Sequence, residues 1–412
     1  MKSTVAIVPI ALLLGTFAGS GVSQAGSTSG QRGISAASSH AALPTPDPRI
    51  RFPNGFYANV IASVGSPREL AFLPNGDLLV GSLGNALTIV PGADGPGAAG
   101  TPQTFITLPE SPAHGVTYAP NGAVYAATNT TVWKIPYTSG DRFESTATAI
   151  ARVRTGPVAP HSDGDVHTTT SVVASATSLY VGVGSSCNAC VEVDPTRATV
   201  LQMALDGSNV TTLATHTRNP IALALSWTGM LFVGGAGQDS LPYGHPYEYF
   251  DSPMTHGPGT IDYGWPDCEE NRILYNPLQK SPPPSCSGTV APAIEFPAYS
   301  TLIGAAFYPA LVATYAFPKG YSHGVFVTSH GSWHCCPATP PRVYFVPMRG
   351  NMRPSIPVNW NDPTAQSRQF VWGWGSTSNT NYLGRPTGVA VGPGGSLFVA
   401  DDRGLIYRIR HY

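Results

Sequence analysis

Three observations in the sequence predict an all-β protein arranged as a single six-bladed β-propeller. First, one unit recurs along the chain: an apolar run, a turn containing Pro, Asn or Gly, and a second apolar run. Second, Asn75-Gly76 and Asn121-Gly122 are hairpin turn sequences, because Asn and Gly accept the positive φ angles that tight hairpins need. Third, residues 165–181 contain no Gly or Pro and are rich in Thr, Val and Ser, which favours strand over helix.

The repeated unit occurs six times, with spacing that suits the blades of a propeller. Units of this kind cannot bury both of their faces alone, so we expect them to stack around a central channel. A β-sandwich would use fewer and more evenly spaced strands. The clearest copies are Pro67–Ser82, Ala113–Thr128 and Pro386–Asp401, and the less regular copies are His167–Val183, Asn219–Gly235 and Ser300–Ser329. The propeller is predicted to span residues 51–412.

The first 25 residues are predicted to be a secretory signal peptide. Lys2 gives a basic start, residues 5–22 are apolar or small, and Ser23-Gln24-Ala25 offers small residues at the positions that a signal peptidase reads. The alternatives are a buried strand or a membrane anchor, but Pro9 and several glycines would make a poor membrane span. Residues 26–50 are rich in Ser, Ala, Gly and Pro and are predicted to form a flexible leader. We therefore expect a secreted or periplasmic protein without a membrane span.

Composition excludes several classes of protein. The chain of 412 residues has 22 basic and 23 acidic side chains, a formal charge of −1, and only 11% charged residues. So small and balanced a charge provides no electrostatic footprint for nucleic acid or an anionic membrane surface. The 42% hydrophobic content is enough for a core and excludes a disordered chain.

The six cysteines agree with export, since an even number is typical of an oxidising compartment. Cys268 and Cys286 flank a Pro-rich excursion and are predicted to form a disulfide across it. Cys187 and Cys190 have CxxC spacing, but the next residue is not the His of a haem site, and no second ligand pair for zinc lies at suitable spacing. We expect a local disulfide there. Cys335 and Cys336 could form a vicinal disulfide or stay reduced.

Polar residues beside otherwise apolar strands indicate a functional site at the mouth of the channel. His167 leads into the third unit; it could act as a general base, with Asp163 and Asp165 near enough to orient it, or it could be a loop histidine bonded to backbone. Arg218 and Asn219 begin the fourth unit, where Arg218 could hold a carboxylate or polarise a carbonyl, or form a structural salt bridge.

Three further segments are candidates. Gly237, Gln238 and Asp239 follow the fourth unit and could offer backbone carbonyls and a carboxylate to calcium. His330 follows the fifth unit. Arg385 starts the sixth unit. Arg218 and Arg385 are predicted to be the only basic residues that stand just before a blade. The segment 263–266 (YGWP) is predicted to be a packed turn between blades rather than a substrate platform.

Long segments in one order resemble the soluble glucose/sorbosone dehydrogenase family of six-bladed quinoproteins, with the sorbosone dehydrogenase-like branch most similar. The resemblance covers nearly the whole chain after the leader. Its carriers are GDVHTTTSVV (164–173), LYVGVGSSCNACVEVDPTRATVLQMALDGS (179–208), TRNPIALALSWTGMLFVGGAGQD (217–239), YGWPDC (263–268), GVFVTSHGSW (324–333) and GRPTGVAVGPGGSLFVADDRGLIYRI (384–409).

The resemblance implies a role for each candidate. His167 would be the general base that takes the proton from a sugar's anomeric hydroxyl, while hydride passes to the C5 carbon of pyrroloquinoline quinone. Arg218 would bond the reacting quinone oxygen, and Asn219 would line the cofactor pocket. Arg385, with His330 nearby, would meet the cofactor's carboxylates. The carbonyls of Gly237 and Gln238 would seat a Ca²⁺ ion that acts as a Lewis acid.

The sequence departs from the family at several of these places. His114 lies where the best-known members have a quinone-contacting Gln, and Gln238 replaces an Arg of the sorbosone-like branch. Tyr299 replaces a His, and residues 334–336 (HCC) are unusual. The acidic loop after Asp239 keeps only Glu248.

The leading hypothesis from the sequence is an exported, calcium-dependent quinoprotein that oxidises an aldose or a sugar aldehyde and passes electrons to an external acceptor, a quinone or a cytochrome. One alternative is a catalytically inactive propeller that binds carbohydrate or protein. Another is a metal-dependent lactonase, which would need several carboxylates converging on the channel, where the quinone enzyme needs Arg218 and Arg385.

Overall fold

The computed structural model describes residues 43–162, 164–242, 244–333, 337–350 and 352–412. The predicted signal peptide, most of the predicted leader, and Asp163, Cys335 and Cys336 lie outside the described residues. Ile50 is the last residue of the leader predicted from the sequence. It is 6% exposed and belongs to an apolar core.

The described chain forms six sheets of four or five strands, and each sheet is one blade. The first strand, β1 (Phe56–Ser63), belongs to the last blade. Blade 1 contains β2 (Pro67–Phe72), β3 (Leu78–Ser82), β4 (Ala86–Val90) and β5 (Gln103–Thr107). Blade 2 contains β6 (Gly115–Tyr118), β7 (Val124–Ala127), β8 (Thr131–Ile135) and β9 (Thr148–Arg152).

Blades 3 and 4 follow, and a long excursion of the chain interrupts blade 4 before its last strand. Blade 3 contains β10 (Thr170–Ala174), β11 (Ser178–Val183), β12 (Thr199–Ala204) and β13 (Thr211–Thr215). Blade 4 contains β14 (Asn219–Leu225), β15 (Leu231–Ala236), β16 (Glu248–Asp251) and, after the excursion, β20 (Glu295–Phe296). The excursion holds β17 (Ile261–Asp262), β18 (Cys268–Glu269) and β19 (Ile273–Leu274), and β17 pairs in parallel with β13 as a fifth strand of blade 3.

The last two blades complete the circle. Blade 5 contains β21 (Leu302–Tyr308), β22 (Gly324–Ser329), β23 (Arg342–Pro347) and β24 (Arg368–Val371). Blade 6 contains β25 (Pro386–Val391), β26 (Leu397–Asp401), β27 (Leu405–His411) and β1, which pairs antiparallel with β27. Short 3₁₀ turns occur at Pro253–Thr255, Lys319–Tyr321 and Pro363–Gln366. Among the described residues there is no helix with the length and apolar character to cross a membrane.

The propeller prediction is confirmed. Each of the six predicted units is the pair formed by the first and second strands of one blade. The six first strands contact one another in a closed ring around the central channel. Because β1 supplies the outer strand of blade 6, the two ends of the described propeller are joined by strand pairing, which closes the circle.

Apolar residues fill the space between neighbouring blades. Six large clusters of buried side chains each lie between two adjacent blades of the described chain. Phe326, Phe345 and Phe370 of blade 5, for example, share one cluster with Phe56 and Val399 of blade 6, and the rings of Phe370 and Phe56 are in edge contact. The packing agrees with the prediction that the units stack on one another, because a single blade would leave both of its apolar faces in water.

Both predicted disulfides that fall in the described chain are present, linking Cys187 with Cys190 and Cys268 with Cys286. The second one closes the excursion, as predicted. The predicted packed turn is also confirmed, because Tyr263 and Trp265 are buried and the indole Nε1 of Trp265 donates to the carbonyl of Asn188 at 3.0 Å.

Candidate active site

The predicted site residues share one face of the propeller because of hairpin geometry. In an antiparallel pair, the start of the first strand and the end of the second lie at the same end of the blade. We call this end the upper face. His167, Arg218 and Arg385 lie just before or at first strands, and Gly237 and His330 directly follow second strands.

The imidazole of His167 is held by Ser185. Its Nδ1 lies 2.9 Å from Ser185 Oγ and 3.1 Å from the Ser185 carbonyl oxygen. The Ser185 hydroxyl donates its own hydrogen to the Cys187 carbonyl at 2.7 Å, so Nδ1 must be the donor toward Ser185. A neutral imidazole that donates from Nδ1 keeps a lone pair on Nε2, which is the atom a general base needs.

The surroundings of His167 also keep it neutral. Desolvation, then the positive charge of Arg218, lowers the pKa of His167 well below its ordinary value of 6.5, and Arg154 and Arg197 act in the same direction. The predicted orientation of His167 by Asp165 is wrong, because both oxygens of that carboxylate bind Arg197, at 2.8 and 2.6 Å. The other predicted carboxylate, Asp163, lies outside the described residues.

Arg218 and Asn219 lie beside His167. The small Gly184 separates His167 from Asn219: a Cβ atom added there would lie 2.6 Å from His167 Cβ and 2.5 Å from Asn219 Oδ1. Asn219 is 5% exposed, and its amide oxygen is buried without a hydrogen-bond partner among the described residues. Such an orphaned acceptor is costly unless a ligand donates to it.

The guanidinium of Arg218 is fixed by protein groups. Its Nε donates to the Asn188 carbonyl at 3.2 Å, and its Nη1 donates to the Ala236 carbonyl at 3.2 Å. Its Nη2 donates to Asn188 Oδ1 at 2.8 Å and to Asp239 Oδ2 at 2.9 Å. The structural ion pair that the sequence left open is therefore present, and the charge is held rigidly next to His167.

His330 and Arg385 form a second group on the upper face. Arg385 donates from Nε to the His330 carbonyl at 2.8 Å and from Nη2 to the Gly331 carbonyl at 2.7 Å. Burial lowers the pKa of His330 to about 4, although its Nε2 lies 3.5 Å from Asp402 Oδ2. His330 is thus neutral near neutral pH, so Arg385 supplies the charge of this group. A cavity of about 370 Å³ opens between Arg385 and Trp333.

The upper face has a further cation besides Arg385 and Arg218, the two that the sequence places just before blades. Arg68, the second residue of β2, has Nε and Nη1 buried without partners among the described residues, and burial lowers its pKa to about 10. Its charge lowers the pKa of both His114 and His330, so it lies near these two histidines. Arg154 is also buried, but it donates to the carbonyls of Thr168 and Thr169 and so anchors the loop after His167.

Within the predicted calcium segment, Gly237 and Gln238 have different contacts from Asp239. The backbone N–H of Gly237 donates to Glu248 Oε2 at 2.6 Å, and that of Gln238 donates to Glu269. Among the described residues their carbonyl oxygens accept no hydrogen bond, and the buried Gln238 Oε1 has no partner. Asp239 differs, because Arg218 and Trp333 Nε1 donate to its two carboxylate oxygens.

A buried group of carboxyls, which the sequence did not predict, lies beside Arg218. A small enclosed cavity of about 10 Å³, room for one water-sized species, is lined by Glu269, Glu270 and Glu295. Burial raises the pKa of Glu248 and of Glu269 to about 8, and raises that of Glu295 well above its ordinary value. Glu295 is fully buried, and neither of its carboxyl oxygens has a partner among the described residues.

Glu295→Gln is expected to stabilise the protein at alkaline pH. A carboxyl whose pKa is raised by folding costs nothing below its unfolded pKa, and its cost grows as the pH rises above that value. The amide avoids this cost and can donate to a neighbouring carboxylate, so we expect about 1–3 kcal/mol of added stability near pH 8 and almost none near pH 4. Urea unfolding in EDTA measures this, and an equal gain at both pH values would contradict it.

Comparisons with known proteins agree with the architecture. No protein-family model matches the chain, and no curated protein sequence matches it. Solved structures do. The holo form of the pyranose dehydrogenase PQQ domain from Coprinopsis cinerea aligns with a TM-score of 0.73 and 18% identity, covering 89% of this chain and 98% of that one.

Two further structures align over similar lengths. The calcium structure of a Trichoderma reesei carbohydrate-active enzyme of family AA12 gives a TM-score of 0.74 at 18% identity, covering 90% of this chain and 99% of that one. The PQQ-bound aldose sugar dehydrogenase from Streptomyces coelicolor gives 0.57 at 18% identity, covering 87% and 99%. The chain has the fold of these proteins. At this identity the likeness establishes architecture, and the chemistry depends on the residues of the upper face.

Proposed function

We propose that the protein is an exported quinoprotein oxidoreductase of the soluble glucose/sorbosone dehydrogenase kind, which oxidises an aldose or a related sugar aldehyde. The observation that carries this proposal is the neutral His167, with its Nε2 lone pair available and the fixed charge of Arg218 beside it. The proteins that share the fold, one a holo form and one PQQ-bound, supply the class of reaction.

The upper face suits pyrroloquinoline quinone, a planar tricarboxylate. Arg68 Nε and Nη1, which have no partner within the described part of the chain, would bind carboxylate, together with the charge of Arg385. Arg218 would hold the reacting quinone oxygen, and Asn219 and His330 would line the pocket. The charge of Asp402 acts on Arg68, but burial outweighs it and lowers the pKa of Arg68, so an anionic ligand that accepts from its buried nitrogens would relieve a cost of the fold.

Part of the predicted calcium segment could bind Ca²⁺. The carbonyls of Gly237 and Gln238, which accept no hydrogen bond from the residues that the structure describes, are hard oxygen donors of the kind that Ca²⁺ prefers. The carboxylate of Asp239 is already occupied by Arg218 and Trp333, so in this proposal its contribution is to hold Arg218.

When bound, the quinone would supply the hydride acceptor and Ca²⁺ a Lewis acid. His167 Nε2 would take the proton from the anomeric hydroxyl, and the product would be a lactone or an acid. Ser185 would stabilise the resulting imidazolium by accepting from Nδ1–H. Arg218 would fix the position of the acceptor oxygen, because its guanidinium is held by Asn188 and Asp239.

We further propose that the protein works outside the cytoplasm and delivers electrons to an external quinone or cytochrome. The two disulfides of the described chain support an oxidising compartment. Among the described residues, no observation on the upper face favours either alternative function. Asp239 pairs with Arg218 and Asp165 pairs with Arg197. The buried carboxyls of Glu269 and Glu295 line a cavity with room for one water-sized species, which is too small for a lactone beside a metal ion.

Reconstitution tests the proposal. Pyrroloquinoline quinone and Ca²⁺ are added to the purified protein lacking residues 1–25, and dye reduction is followed over a panel of aldoses. We expect sugar-dependent reduction that needs both additions. Quenching of tryptophan fluorescence reports cofactor binding separately. Binding without turnover of any sugar would overturn the proposed reaction, and the absence of binding would favour the inactive binding module.

A further inference from the structure

A short loop closed by a disulfide connects the two proposed catalytic side chains. Asn188 lies between Cys187 and Cys190, which are bonded to each other three residues apart. We call residues 187–190 the disulfide loop. Neither the proposed reaction nor the fold requires a polar residue in the middle of such a loop. The side-chain amide and the backbone carbonyl of Asn188 nevertheless both have hydrogen-bond partners.

The hydrogen bonds of Asn188 converge on Arg218 and Asp239. Its amide oxygen accepts from Arg218 Nη2 and from the backbone N–H of Asp239, both at 2.8 Å. Its amide nitrogen donates to the Asp239 carbonyl at 2.9 Å. Its backbone carbonyl accepts from Arg218 Nε at 3.2 Å and from Trp265 Nε1 at 3.0 Å. Both ends of the Arg218–Asp239 ion pair are therefore oriented by one side chain.

The same loop also orients His167. The Cys187 carbonyl accepts the hydrogen of the Ser185 hydroxyl at 2.7 Å, and this leaves Ser185 Oγ free to accept from His167 Nδ1. A shift of the loop would thus change the hydrogen bond from His167 Nδ1 to Ser185, which sets the tautomer of His167. It would also change the orientation of the Arg218 guanidinium. The disulfide restricts the backbone of the loop, because it joins residues only three positions apart.

We propose that Asn188 is a positioning residue for Arg218 and Asp239, and that the Cys187–Cys190 disulfide fixes the loop from which Asn188 and the Cys187 carbonyl act. This inference rests on the proposed function only in taking Arg218 and His167 as catalytic groups. Its structural content, the restraint of Arg218 by the disulfide loop, can be tested in the protein without cofactor.

Two variants remove the restraint in different ways: Asn188→Ala deletes the amide, and Cys187→Ser with Cys190→Ser opens the loop. The matched control is Asn121→Ala, which removes an amide that bonds Ala123 N–H and the Tyr125 hydroxyl in the turn between β6 and β7, at the far end of blade 2. The Nη2–H and Nε–H signals of Arg218 in the NMR spectrum, identified by their loss in Arg218→Lys, report its bonds to the amide oxygen and to the backbone carbonyl of Asn188. We expect the exchange of Nη2–H with water to quicken at least tenfold in both variants, and both signals to stay unchanged in the control.

In the reconstituted enzyme we expect kcat to fall about 10- to 100-fold in Asn188→Ala with KM for the sugar little changed, since loss of alignment affects the reacting state. Unchanged Arg218 exchange in both folded variants overturns the proposal, whether or not the wild-type protein oxidises any sugar. Quickened exchange in a protein that binds no quinone upholds the positioning role and counts against the proposed function alone. Quickened exchange with full activity contradicts the catalytic importance of the loop.

Discussion

Replacement of His167 by glutamine is expected to lower kcat for sugar oxidation by about 10²- to 10⁴-fold, the usual contribution of a positioned general base. The side chain has one free basic atom, Nε2, because Nδ1 donates to Ser185. Glutamine can preserve a bond to Ser185 but offers no comparable base. Cofactor binding should stay within a few-fold of the wild type, since Arg68, Arg218 and Arg385 are untouched.

The pH dependence gives an independent check on His167. Desolvation and the nearby arginines lower its pKa, so the base stays deprotonated as the pH falls through the ordinary histidine value of 6.5. We expect kcat/KM to stay level across that value and to fall only at more acidic pH. A decrease centred near the ordinary value would show that His167 is not the base, or that it lies in a more hydrated site.

His411→Gln is the matched control for this experiment. His411 ends β27 in blade 6, where its Nδ1 lies 3.0 Å from the Tyr412 carbonyl oxygen, and it belongs to neither group of the upper face. The same chemical change should leave both kcat and the pH profile unaltered. Equal losses in the two variants would mean that the effect is one of stability and not of catalysis.

The fold could be predicted because the first two strands of each blade carry their own signal. Apolar runs around an Asn-Gly or Pro-Gly turn are a local pattern, and they are buried on both faces by the neighbouring blades. The outer strands have no such signal. Thr148–Arg152 is largely exposed, and Glu295–Phe296 reaches blade 4 only after the long excursion, so nothing nearby in the sequence marks either one.

Site residues could be predicted from the sequence only where their position next to a predicted strand determines which face of the propeller they occupy. His167, Arg218 and Arg385 stand just before first strands, so hairpin geometry places them on one face. Arg68 is the second residue within β2 and is indistinguishable in the sequence from an ordinary strand residue.

Partners of the site residues depend on longer-range packing, which local patterns do not show. Asp165 is closer to His167 in the sequence than Ser185 is, yet it pairs with Arg197 across the loop. Glu295 and Glu269 meet because the excursion folds back beside blade 4, and no spacing rule relates them.

Arg68→Met is expected to weaken binding of pyrroloquinoline quinone about 10- to 100-fold. Hydrogen bonds to charged groups contribute roughly 1.5–3 kcal/mol, and about 1.4 kcal/mol corresponds to a tenfold change in the dissociation constant. Arg68 has two buried nitrogens without protein partners among the described residues, so a bound carboxylate would be their principal acceptor. Fluorescence titration with the quinone measures the change.

The stability of the protein without cofactor should move in the opposite direction. Burial lowers the pKa of Arg68 because the charged form is poorly solvated, so an apolar side chain of similar length removes a cost from the unliganded fold. Arg142→Met is the control, since Arg142 is exposed and lies 3.8 Å from Asp77 in a surface pair. Weaker binding combined with equal or greater stability identifies Arg68 as a ligand residue. Weaker binding with a loss of stability would instead make Arg68 part of the scaffold, and the cationic pocket would then rest on Arg218 and Arg385.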